Sequence, residues 1–105
     1  LDIGCGTGTT LVEAKARGWH VLGLEPGRAA VEVARARLGP GGAREVLQGY
    51  FPQDLPAERQ CFDAICILDV LEHFVDPLGF LGLVRQHLAP GGRLFVQVPN
   101  WDSLL

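Results

Sequence analysis

Leu1-Asp2-Ile3-Gly4-Cys5-Gly6-Thr7-Gly8-Thr9 opens the chain. Its apolar start reads as the end of a β-strand over 1–3. The pattern beyond it predicts a helix over 9–17, capped by Thr9 or Thr10 and ended by Gly18. Glycine at positions 4, 6 and 8 lets the backbone take positive φ and approach a ligand with no side chain between them. Such a turn suits an open α/β sheet, where ligands meet the carboxyl ends of strands and the first amides of the next helix face an anionic group. Taken alone, the same loop is also an ordinary tight turn.

The rest of the chain continues the alternation. A strand is predicted over 20–24 and a helix over 28–38, with Val31, Ala34 and Leu38 on one stripe and Arg28, Glu32 and Arg35 on the other. Gly39-Pro40-Gly41-Gly42 stops that helix, and a third strand follows over 44–48. A polar, proline-containing loop over 49–60 leads to an apolar run over 62–68, the pattern of a strand buried on both faces. Asp76-Pro77 reads as an N-cap and first-turn proline. Their helix extends to about 88 with Leu78, Leu81, Val84 and Leu88 inward. Ala89-Pro90-Gly91-Gly92 breaks it before a fifth strand over 93–98. No connection has hairpin length, so the strands are predicted parallel, with right-handed crossovers, in a Rossmann-like open α/β sheet with helices on both faces.

Composition bounds the rest. The 105 residues, 48% hydrophobic and 20% charged, suit one ordered domain and exclude a disordered chain. A net charge of -3 without a Lys/Arg run argues against a nucleic-acid partner. The apolar run over 64–68 is far short of the roughly 20 residues of a transmembrane segment, and no signal peptide is visible. The start at Leu1 and the lack of Met predict a piece of a longer chain, one with exposed strand edges and poor stability in isolation. Cys5, Cys61 and Cys66 form no CxxC pair and are expected as free thiols in a reducing cytoplasm. Arg28, Arg35, Arg37 and Arg44 are interrupted by Glu32 and Glu45, so a solvated face is expected there.

Glu25 ends the second strand about 20 residues beyond the loop, where a carboxylate accepts from ribose hydroxyls. Loop and acid together point to an adenosine-bearing ligand. The dinucleotide fingerprint G-x-G-x-x-G is not met, because Thr9 stands at its last position and Gly8 comes one place early. Asp2, at the loop entrance, repels a diphosphate and suits a cationic ligand such as S-adenosylmethionine. An NAD-binding Rossmann domain and a non-catalytic S-adenosylmethionine-binding module are the alternatives.

The opening string resembles the first motif of the class I S-adenosylmethionine-dependent methyltransferases, and Gly23-Leu24-Glu25-Pro26 is similar to their second. Phe62-Asp63-Ala64-Ile65 and Asp69-Val70-Leu71-Glu72-His73-Phe74-Val75-Asp76-Pro77 resemble the fourth strand and the segment after it. Leu88-Ala89-Pro90-Gly91-Gly92-Arg93-Leu94 resembles the Leu-Lys-Pro-Gly-Gly turn before the fifth strand. The Leu-Glu-His-x-x-Asp-Pro and Val-Pro-Asn strings are most similar to the small-molecule branch that includes ubiquinone-biosynthesis O-methyltransferases.

The resemblance implies strand order 3-2-1-4-5, with residues 1–105 as part of the cofactor-binding core of a cytoplasmic enzyme. The implied reaction is methyl transfer from S-adenosylmethionine to a small-molecule or biosynthetic-intermediate acceptor, at oxygen. It assigns Gly4, Cys5, Gly6 and Gly8 to the cofactor, Asp2 to its amino end, Glu25 to the ribose hydroxyls and Pro26 to the adenine. The family often has an acid after the third strand; here Tyr50 or Phe51 takes that place and stacks on the ring, with Asp54 a further candidate. The segment after the fourth strand brings Asp69 to the cofactor and His73 beside the reacting carbon. His73 has three readings: a structural histidine, a general base for a hydroxyl acceptor, or a ligand of a divalent metal with Asp69 and Glu72. A metal is not expected. His20 and His87 are expected at the surface. Asn100 and Trp101 are candidates for lining the acceptor pocket.

Overall fold

The computed structural model describes residues 1–100. Within them, β1 (Asp2–Ile3), β2 (Gly23–Glu25), β3 (Val46–Gln48), β4 (Phe62–Leu68) and β5 (Leu88–Gln97) form one sheet, ordered β3-β2-β1-β4-β5. Every pairing is parallel. The helices are α1 (Thr9–Ala16), α2 (Arg28–Leu38), α3 (Gly42–Glu45) and α4 (Pro77–Gln86), with single 3-10 turns at Gly39–Gly41 and Leu71–His73. β1 is the middle strand: Asp2 pairs with Gly23 on one side and Cys66 on the other. The chain leaves the outer edge at β3 and returns beside β1 as β4. The strand order therefore reverses at the carboxyl ends of β1 and β4, where open α/β sheets bind ligands.

The pleat of the sheet divides the core in two. On one face α1 and α2 bury Leu11, Val31, Ala34 and Leu38 against Cys5, Val21 and Val46. On the other, Phe80 and Val84 of α4 join Phe51 and Leu55 over Ile3, Leu22, Leu24, Ile65 and Ile67. Each fully buried Leu or Ile contributes about 1.5–3 kcal/mol, and Phe51 meets Phe80 edge to face at 5.7 Å. Lys15 ties α1 to the start of β3, donating to the Leu38 carbonyl at 3.2 Å and to Glu45 Oε1 at 2.7 Å. Among the described residues no helix is long and apolar enough to cross a membrane.

Several local expectations are corrected. Helix α1 is capped by Gly8 in the left-handed conformation, with no side-chain cap, and Thr9 lies inside the helix. Arg44 and Glu45 belong to α3, so β3 starts at Val46. That extra turn folds back so closely on Arg35 that a Cβ at Gly42 would strike the Arg35 carbonyl. β2 is confined to Gly23–Glu25, although Val21 and Leu22 before it are buried. β4 is fully covered on one face only: Ile65 and Ile67 are buried, while Ala64 and Cys66 between them are half-buried. In α4, Asp76 caps the helix by accepting from Gly79 N, Phe80 and Val84 face the sheet, and Leu78 is 79% exposed instead of inward. The helix ends at Gln86, and β5 resumes pairing at Leu88. Its register shifts between Phe62 and Ala64 of β4, as the chain passes through Gly91 at φ 75°. Arg35 is not idle on a solvated face, since its Nε donates to the Val46 carbonyl at 2.9 Å. His87 is half-buried, its Nδ1 2.7 Å from the Gln60 carbonyl.

Candidate functional site

The loop between β1 and α1 sits at the reversal of strand order. Gly4, Gly6 and Gly8 have φ of 73°, 56° and 84°. The amides of Gly4 and Cys5 both donate to the Leu24 carbonyl, at 2.8 and 3.0 Å, and Gly8 N donates to the Cys5 carbonyl at 3.0 Å. The crest of the loop is bonded to a side chain: Gly6 N donates to Glu25 Oε1 at 3.0 Å, while Glu25 Oε2 accepts from Gly27 N at 2.7 Å. A Cβ added at Gly6 would meet nothing within 4 Å, so the crest faces open space. At Gly8 a Cβ would lie 2.9 Å from Ala34 Cβ, which makes that glycine the seat of α2 against the loop. From the last turn of α2, Arg37 Nη1 donates to the Thr7 carbonyl at 3.0 Å and to Thr9 Oγ1 at 3.1 Å. Val70, just after β4, closes the other flank; a Cβ at Gly4 would come within 2.6 Å of its Cγ2.

Asp2 lies behind the loop, 4% exposed, and its Oδ1 is buried without a hydrogen-bond partner among the described residues. Burial pushes its carboxyl up to about 6, and Glu25 adds to the rise. Burial, reinforced by Asp2 and Glu25, pushes the Cys5 thiol up to about 12, so this thiol is not a nucleophile at neutral pH. Two carboxylates and an open crest form a cradle that suits a ligand with hydroxyls and a cationic end. A diphosphate would meet Asp2 and Glu25 together.

The remaining candidates spread around this cradle. Pro26 is exposed at the end of β2. Tyr50 is 61% exposed, whereas the ring of Phe51 is taken up in the core against Phe80 and His87. Asp54 Oδ2 accepts from Tyr50 N at 2.8 Å and so shapes that turn. Asp69 has φ 56°, donates its amide to the Gln97 carbonyl at 2.9 Å and accepts from Gln97 Nε2 at 3.4 Å. His73 Nε2 lies 3.6 Å from Glu72 Oε1, on an imidazole 76% exposed. No three His, Cys, Asp or Glu side chains among the described residues converge to hold a metal ion, so Asp69, Glu72 and His73 are not gathered into one site. Asn100 is exposed, and Trp101 lies outside the described residues. A groove of about 800 Å³ between α1 and the Ala64 and Cys66 face of β4 opens toward the amino ends of the strands and has Asp2 in its lining. Sequence reasoning missed Arg37 and Val70. The i, i+3 spacing of Arg37 from the core residue Ala34 is the signal that places it over the loop.

The chain matches the methyltransferase-domain family over residues 1–105. It is 40% identical, over 99% of its length and 31% of the relative's, to an uncharacterized 37.1 kDa protein in a transposon of Streptomyces fradiae. It is 39% identical to a ubiquinone biosynthesis O-methyltransferase of Xylella fastidiosa, over 95% of this chain and 41% of that protein. Among solved structures, a plantazolicin methyltransferase in complex with a pentazolic desmethylPZN analogue and SAH superposes with a TM-score of 0.82 at 20% identity, covering 98% of this chain and 39% of that one. The chain thus spans well under half the length of these relatives.

Proposed function

The chain belongs to the methyltransferase-domain family, and from that premise we propose that residues 1–105 are the cofactor-binding core of an enzyme that transfers a methyl group from S-adenosylmethionine. The observation that supports this most is Glu25. It ends the strand beside β1 and reaches the crest of the glycine loop through Gly6 N, 3.0 Å away. In this reading Glu25 accepts from the ribose hydroxyls, and Asp2, with its orphaned oxygen, faces the amino end. The backbone of Gly4, Cys5, Gly6 and Gly8 lies along the methionine moiety, Pro26 borders the adenine, and Tyr50 offers the free aromatic face. Asp69 borders the cofactor from β4. When bound, the sulfonium supplies a methyl carbon already activated for in-line displacement, so the protein's main task is orientation.

We assign the acceptor to small biosynthetic intermediates and the attacking atom to oxygen, a reading supported by the relatives named as ubiquinone biosynthesis O-methyltransferases. A hydroxyl must lose its proton as it attacks, and His73 is the base in this reading. Its ring is open to solvent, with Glu72 as polar neighbour among the described residues. Free thiols at Cys5, Cys61 and Cys66 agree with a reducing, cytoplasmic setting.

Calorimetric titration with S-adenosylhomocysteine and with NADH tests the cofactor. Binding of the first and silence toward the second is the expected outcome, and the reverse defeats the reading in favour of a dinucleotide-binding domain. A screen of the full-length protein with methyl-labelled cofactor against quinone precursors, sugars and lipids tests the acceptor. Binding without turnover on any of them would favour a non-catalytic module.

A further inference from the structure

We propose that Arg37 is a positioning residue for the cofactor loop, acting through the Thr7 carbonyl and the Thr9 hydroxyl and never touching the ligand. The proposal takes its ligand from the cofactor reading above; its geometry stands without it. The loop spends three left-handed glycines in five residues, a conformation with a high entropic cost of ordering. Two side chains oppose that cost from different elements. Glu25, on β2, holds the loop by the Gly6 amide, and Arg37, on α2, holds it by the Thr7 carbonyl and the Thr9 hydroxyl.

The two holds differ in what a ligand does to them. The Glu25 carboxylate is the group that turns to ribose hydroxyls, so its grip on Gly6 N is shared or surrendered on binding. The Arg37 contacts face away, toward α2, and persist. Helix α2 is itself fixed there: Ala34 is fully buried, and its Cβ sits where a Gly8 side chain would be. One helical turn later, Arg37 spans from that anchored point across the start of α1. A single nitrogen, Nη1, serves both acceptors with its two hydrogens, so the Thr7 carbonyl and the Thr9 hydroxyl are set relative to each other as well as to α2.

The experiment compares the full-length protein with Arg37→Met, Arg37→Lys and, as a control on the same helix, Arg28→Met, whose partner is the exposed Glu32. Affinity for S-adenosylhomocysteine is measured by calorimetry, and exchange of the Gly6 and Gly8 amides is followed in the ligand-free protein. Arg37→Met is expected to weaken binding about three- to tenfold, the range of one or two partly exposed hydrogen bonds, and to speed exchange of both amides. Arg37→Lys is expected to recover part of both effects, and Arg28→Met to match the wild type. Wild-type affinity and unchanged exchange in Arg37→Met overturn the proposal. So does an equal loss in Arg28→Met, which would mark a general charge effect. A wild-type protein that ignores S-adenosylhomocysteine defeats the cofactor reading instead, while the exchange arm still tests the strap.

Discussion

The glycine loop at residues 4–8, with Glu25 at its crest, and residues 69–77 lie side by side at the carboxyl edge of one sheet, and they are built on opposite rules. The first segment works through its backbone. Its glycine amides are bonded to the Leu24 carbonyl and to Glu25, and its flanks are closed by Ala34 and Val70. The second works through side chains. Asp69 stands exposed just after β4, and Glu72 and His73 follow on a short 3-10 turn with the imidazole 76% exposed, beside Val75 at full exposure and Leu78 at 79%. A ligand gripped by peptide groups demands glycines and a fixed spacing, whatever the rest of the protein does. A ligand recognised by side chains on a turn is specified by groups that neither segment fixes alone.

The largest expected effect attacks the first segment's rigidity. Gly8→Ala forces a left-handed alanine against Ala34, and should cost about 3 kcal/mol from backbone strain and overpacking together. Chemical denaturation measures it, and a loss under 1 kcal/mol would mean that the loop is far more plastic than its contacts suggest. Asp2 gives a second test, through pH. Its carboxyl binds a proton more tightly folded than unfolded, so its share of stability is whole below pH 4 and is lost as pH rises from 4 through about 6. The gap between 3.8 and about 6 corresponds to about 3 kcal/mol. Asp2→Asn should therefore raise stability at pH 7.5, leave it nearly unchanged at pH 4, and flatten the profile between them.

The same contrast predicts how function divides. His73→Gln should lower kcat for a hydroxyl acceptor by about 100-fold while leaving S-adenosylhomocysteine affinity at the wild-type value; an unchanged kcat assigns His73 a structural role. Glu25→Ala should do the reverse, weakening cofactor affinity by about 2 kcal/mol, with wild-type affinity returning Glu25 to the standing of an ordinary strand-end acid. Smallest of all, Leu78→Ser in the second segment should change stability by less than about 0.5 kcal/mol. A larger loss would reveal that this exposed face is packed against something.

What could be read from the sequence follows the same division. The loop, the strand alternation and α2 over 28–38 were legible because glycine spacing and a 3.6-residue stripe are local signals. The cap of α1 was not: Thr9 and Thr10 are good caps by chemistry, but the left-handed Gly8 that brings α2 close displaces them. Of the residues expected inward from α4, Val84 is buried and Leu81 and Leu88 pack on the core, but the first turn, apolar nearly all round, offers Leu78 and Phe80 alike. Only the sheet chooses between them. The start of β3 depended on a turn folded against Arg35, a contact with no signature in the residues that form it. Arg37 is expected on a solvated face because an arginine on a helix looks solvated until the loop it covers is in place.

Glu25 enters the ligand-free state with both oxygens already occupied, by Gly6 N at 3.0 Å and Gly27 N at 2.7 Å. Each oxygen keeps a second lone pair, so a hydroxyl arriving there shares the carboxylate with an amide or displaces it, and this exchange gains less than binding at a bare carboxylate. The same exchange runs backward when the spent ligand departs, since the loop amide is waiting to reclaim the carboxylate. In the methyl transfer proposed above, that weak net hold on the ribose would favour release of the spent cofactor.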